Sequence, residues 1–162
     1  MALWQWVILA VPRGPLEEQY GSGLVRLDDL AEDAFWSGKG QVEQLRASLD
    51  DLFPRADSWG EGVELWGKEV SHDAQLITSD GSVVSLRLRL DARQNCALML
   101  KRIAARGERQ DLLFWELETG AVLSPKASEL EEAFKASGAV RFVEDPRGVL
   151  HERSMDAERW EG

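Results

Sequence analysis

Between Ser82 and Arg93 the chain reads SVVSLRLRLDAR. From Val84 onward every even position is apolar: Val84, Leu86, Leu88, Leu90 and Ala92. Every odd position is polar or charged: Ser85, Arg87, Arg89, Asp91 and Arg93. Strict period two marks a strand with one face in a core and the other turned outward. The pattern predicts a sheet, a core against one side of it, and three arginines on the opposite side. Arginine forks grip carboxylates bidentately, so Arg87, Arg89 and Arg93 form a candidate anion- or partner-binding face. The plainer account pairs them across the sheet with Asp73, Glu116 or Glu118.

The preceding strand sets the register. Ala74 to Thr78 and the arginine strand flank Asp80-Gly81, a hairpin signal. A two-residue loop alone sets Gln75 against Leu86. A three-residue loop with a bulge pairs Leu76 with Leu86 and Ala74 with Leu88, and puts Asp73 opposite Arg89. The second is preferred, because a one-residue slip turns every side chain to the wrong face.

The other elements follow from pattern and punctuation. Leu3 to Val11 reads as a first strand, Val63 to Val70 as another, and Asp111 to Glu118 as a strand from the middle of a sheet. Pro12 to Gly23 reads as a loop. Leu27 to Phe35 reads as a short helix, broken by Trp36-Ser37-Gly38-Lys39-Gly40. Val42, Leu45, Leu49 and Leu52 recur at helical spacing in a segment that Pro54 stops. Asn95 to Arg106 reads as a helix with Gly107 just past its end. Ser124-Pro125 reads as the start of another, which ends near Gly138. Ala139 to Val143 reads as an edge strand, Asp145 to Gly148 as a type I turn, and residues 150–162 as a tail or exposed helix. The expected fold is α+β: a mainly antiparallel sheet of about five to six strands with three to four helices, in a single domain of 162 residues.

Composition narrows the function classes. With 29 acidic residues against 19 lysines and arginines, the formal net charge is -10. That argues against affinity for nucleic acid and suits solubility or a basic partner. No apolar run reaches the length of a membrane span. The N-terminus has no basic region and no small-residue cleavage site, so it does not read as a signal peptide. Cys96 is the only cysteine, which excludes an internal disulfide and points to the cytoplasm. Seven tryptophans imply a large aromatic core. Trp59, in a polar loop, is the candidate exposed anchor.

No catalytic residue, metal ligand or cofactor motif is predicted. There is no G-x-S-x-G elbow, and Cys96 is expected on the inward face of its helix. His72 and His151 lie far apart without a second cysteine, which argues against zinc. The acidic doublets Glu17-Glu18, Asp28-Asp29, Asp50-Asp51 and Glu131-Glu132 do not converge on a helix. Gly21-Ser22-Gly23 and Gly38-Lys39-Gly40 complete no phosphate loop.

Several fragments in order resemble a loosely defined family of small uncharacterised bacterial proteins. They are Phe35-Trp36-Ser37-Gly38, Ser58-Trp59-Gly60, Leu65-Trp66-Gly67, Leu88 through Arg93, and Ser137 through Pro146, spanning about 110 residues. Such proteins are similar in size and charge to immunity proteins that neutralise secreted toxins. The resemblance carries no functional residue with it. It implies a cytoplasmic interaction protein, not an enzyme, with a protein partner such as a basic toxin. Two alternatives stand beside it: a small-ligand binder or enzyme using Arg87, Arg89 and Trp59 on an anionic ligand, and a structural homo-oligomer subunit such as a homodimer.

Overall fold

The computed structural model of the chain describes residues 2–36 and 41–160, apart from the side chains of Glu32, Glu158 and Trp160. The expected break at Ser37 to Gly40, with its Gly38-Lys39-Gly40 turn, lies outside the described residues. The fold is mixed α and β, a central antiparallel sheet packed against several helices. Among the described residues the sheet has seven strands: β1 Gln5–Pro12, β2 Arg55–Ala56, β3 Val63–Gly67, β4 Asp73–Ser79, β5 Ser82–Asp91, β6 Leu112–Glu116 and β7 Val122–Leu123. Their order is β2-β3-β4-β5-β1-β6-β7. Both edge strands are two residues long, which leaves little unpaired edge for another chain to extend.

β1 runs through the middle, and its sequence QWVILAVP is buried at every position. Trp6, Ile8 and Ala10 face one core, and Leu9 and Val11 face another. The first core is closed by α2 Gln41–Leu52, α3 Ala97–Arg109, α4 Ala127–Lys135 and α5 Gly138–Glu144. The second, on the opposite face, is closed by Leu16 of α1 Arg13–Tyr20 and by the segment from Leu24 to Phe35. That cover reaches β1, β6 and β7, and residues 32–34 also approach β5. The same face of β3, β4 and β5 is more open, with Leu65, Gln75, Ile77 and Arg87 half-buried. A sheet covered fully on one side and half on the other creates the candidate site.

The expected register is present: Leu76 pairs with Leu86, Ala74 with Leu88 and Asp73 with Arg89. The loop, however, has two residues. Asp80 and Gly81 both have positive φ (52° and 75°), the geometry of a type I′ turn. The bulge sits one step further on, where Thr78 pairs with Val83 and Ile77 with Ser85. Val84 is the extra residue, so Val83 takes the core place expected of Val84.

Several local expectations are corrected. Residues 13–20 form α1 where a loop was expected. Pro15 falls in the first turn, where its missing N–H costs no helical bond, and Leu16 seats the helix on the sheet. Residues 27–35 hold only a 3-10 turn at Glu32–Ala34. Leu27 N–H instead donates to Gly120, and Arg26 bridges Ala121 as an extension of the β7 edge. Gly107 is no terminus but a buried residue inside α3, closely packed by Phe114 and Pro125. α4 starts at Ala127, two residues past Pro125. Residues 139–143 are helical, because the Ser137 hydroxyl accepts the Val140 N–H and caps α5. Asp145-Pro146 opens α6 Pro146–Trp160, with Asp145 Oδ1 accepting from Gly148 N–H at 3.0 Å. α6 lies exposed against α5 alone among the stronger element contacts.

Candidate functional site

The arginine strand does not present three free cations. Arg89 is buried and bonded to Asp73 through both of its forks: Nε donates to Oδ1 at 2.7 Å, and Nη2 donates to Oδ2. Burial pushes the Asp73 carboxyl up against the pull of that guanidinium. The hydrogen bonds it donates to Asp73 raise Arg89 further and keep it charged. Asp91 and Arg89, expected to point outward, are therefore buried polar groups satisfied within the protein.

Arg93 leaves the site altogether. Its Nε and Nη2 each donate to Asp91 at 2.9 Å, and Nη2 also donates to the Val70 carbonyl. Its guanidinium stacks 4.5 Å from the ring centroid of Trp4. These bonds hold the Asp91 carboxyl below the usual carboxylate range. Asp91 N–H donates to His72 Nδ1 at 2.9 Å, and Gln5 Nε2 donates to the carbonyls of Glu69 and Ser71. Together they staple the 68–72 turn to β1 and β5, which is a structural task. His72 must be neutral to accept that N–H, and burial pushes its pKa down.

The other expected partners are committed elsewhere. Glu116 lies on the helix-covered face, where Trp6 Nε1–H donates to it at 3.0 Å and the Thr119 hydroxyl at 3.0 Å. Glu118 accepts from Gly138 N–H at 3.0 Å and meets Arg141 at 3.8 Å. Neither reaches the arginine face.

Arg87 remains. It is half-buried, and among the described residues it has no hydrogen bond and no ion pair. Its field reaches Asp73 and draws that carboxyl down. Its cross-strand neighbours are Gln75 on β4 and Leu9 on β1, and Gln75 in turn faces Leu65 on β3. The row Leu65, Gln75, Arg87 thus crosses the open half of the sheet, one rung from the Arg89–Asp73 pair. At the end of that face stands Trp59, 71% exposed on the 57–62 loop. The Ser58 hydroxyl holds the loop, donating to Gly60 O at 2.7 Å. Between Trp59, Leu65, Glu69, Gln75 and the buried pair lies a cleft of about 140 Å³.

The remaining sequence candidates are structural. Cys96 is buried ahead of α3, and burial pushes its thiol up to about 11, far from a reactive thiolate. Among the described residues no three His, Cys, Asp or Glu side chains gather as metal ligands, and no helix is long and apolar enough to cross a membrane. Trp6, Trp36, Trp66 and Trp115 are core residues, as the tryptophan count implied. Trp59 is exposed, as its polar loop suggested, whereas the free state of Arg87 depends on what covers the sheet. No local sequence signal carries that information.

No protein-family model matches this chain, and neither a curated protein nor a solved structure shows significant similarity to it.

Proposed function

We propose that this protein is a binding module that captures an anionic group of a small ligand on the open half of its sheet. Arg87 is the anion receptor and Gln75 a neutral hydrogen-bonding neighbour on the adjacent strand. The observation that carries this reading is the state of Arg87: a half-buried arginine among satisfied neighbours, with no hydrogen bond or ion pair of its own among the described residues. Partly desolvated charges of this kind bind more strongly than exposed ones, because water screens them less. Arg89 supports the site from below without joining it, since its fork is already spent on Asp73.

Thermal-shift screening against anionic metabolites tests this, with the wild type beside Arg87→Met. A ligand at a hundred times its Kd adds about 2.7 kcal/mol of stability. The expected result is stabilisation of the wild type that Arg87→Met loses. Equal stabilisation of both proteins contradicts the reading.

A second reading is an acidic cytoplasmic interaction protein, immunity-like, that occludes a basic toxin. The net charge of -10 favours it, because complementary charge speeds encounter. It predicts a co-purifying basic partner that high salt releases. Repeated recovery of nothing above background from the native host counts against it.

A further inference from the structure

Two indoles of this protein already carry a guanidinium on their faces. Arg55 lies 4.7 Å from the ring centroid of Trp66, and Arg93 lies 4.5 Å from that of Trp4. Trp59 has no such cation among the described residues, and its ring is open to solvent. It walls the cleft shared with Asp57, Leu65, Glu69 and the Asp73–Arg89 pair.

Charge in this cleft is one-sided. Asp73 and Arg89 cancel each other through their bidentate contact. Asp57 and Glu69 remain, and among the described residues neither carboxylate has a hydrogen-bond or ion-pair partner. Arg87 is not part of the lining. An exposed indole face beside two unpaired carboxylates attracts a planar cation: the ring quadrupole takes its face and the carboxylates take its N–H edge.

We propose that this cleft accepts the guanidinium of an arginine side chain presented by a partner protein. The cleft, about 140 Å³, holds one side-chain head and is smaller than the roughly 300–1,000 Å³ typical of small-molecule sites. The overall charge of -10 brings basic surfaces toward it. Trp59 stacks on the guanidinium, Asp57 and Glu69 accept its N–H groups, and Leu65 meets the methylenes. The inference does not depend on Arg87, so either can fail alone.

The test follows the Trp59 indole N–H resonance in ¹H–¹⁵N spectra, identified by its loss in Trp59→Phe. Three probes are titrated: N-acetyl-arginine amide, its neutral isostere N-acetyl-citrulline amide, and agmatine. The capped arginine is expected to give a saturable shift. Binding weakens roughly fivefold or more in the double variant Asp57→Asn/Glu69→Gln, about 1 kcal/mol on the affinity scale. It also weakens at about 0.5 M salt, and citrulline gives no shift. All three altered residues are on the surface. An equal response to citrulline, or unchanged binding by the double variant, overturns the inference. Binding of agmatine without binding of capped arginine overturns the partner-protein assignment.

Discussion

Arg89 and Asp73 face each other directly across β5 and β4, and both hydrogen-bonding edges of the guanidinium close on the one carboxylate. The pair is buried at the floor of the candidate site. Breaking a buried pair by removing one partner leaves an uncompensated charge and costs about 3–5 kcal/mol. Arg89→Ala and Asp73→Ala are each expected to lose stability on that scale in urea unfolding. The double replacement Asp73→Leu/Arg89→Met is expected to lose far less than the sum of the two. Additive losses would mean the two groups are not coupled.

Gly107 has no Cβ for a packing reason. An added Cβ would stand 2.8 Å from Phe114 ring carbons and 2.9 Å from Pro125 Cβ. Alanine favours a helix interior by about 1 kcal/mol over glycine. The overlap outweighs that gain, because overpacked cores lose about 1–3 kcal/mol. Gly107→Ala is expected to lower the unfolding midpoint, where an exposed helical glycine would raise it.

His72 gives stability a dependence on mild acid. Its folded pKa lies below the ordinary value, chiefly through burial, with the Asp91 charge opposing. The unfolded chain therefore takes up the proton first. The contribution is present above about pH 6.5 and is lost as pH falls below that value, at no more than about 1.4 kcal/mol per pH unit. Urea midpoints are expected to drop from pH 7.5 to 5.5 in the wild type and less in His72→Asn. Asparagine keeps an acceptor for the Asp91 N–H and does not titrate. An equal drop in both would exclude His72 as the source.

Cys96 is buried, with a thiol pushed up to about 11. It is expected to resist a disulfide-exchange reagent in the native protein at pH 8 and to react stoichiometrically in denaturant. Rapid native labelling would contradict its placement beneath α3.

The sequence carried the β4–β5 pairing almost in full, because two apolar rows can be matched in only one register. It also implied the Asp73–Arg89 contact. It misplaced the bulge, since Val83 and Val84 are equally suited to the core and only the turn geometry chooses between them. Asp145-Pro146 was ambiguous for a physical reason. A type I turn and a helix N-cap use the same aspartate bond to a following N–H, and what comes after decides. The partner of Arg93 was misjudged: the expected carboxylates were Asp73, Glu116 and Glu118, but the guanidinium folds back onto Asp91, two residues away, once the strand has ended. What leaves Arg87 free was not legible, because it depends on where the 24–36 segment ends its cover of the sheet.

The central claim is that the open half of the sheet, around Arg87, is the working surface. Its most direct measurement is a ¹H–¹⁵N titration of the wild type with the strongest stabilising anion from the thermal-shift screen. The account predicts perturbations centred on Leu65, Gln75 and Arg87, lost in Arg87→Met. Perturbations centred instead on the separate cleft of about 320 Å³ lined by Leu3, Glu118 and Arg153 would contradict it.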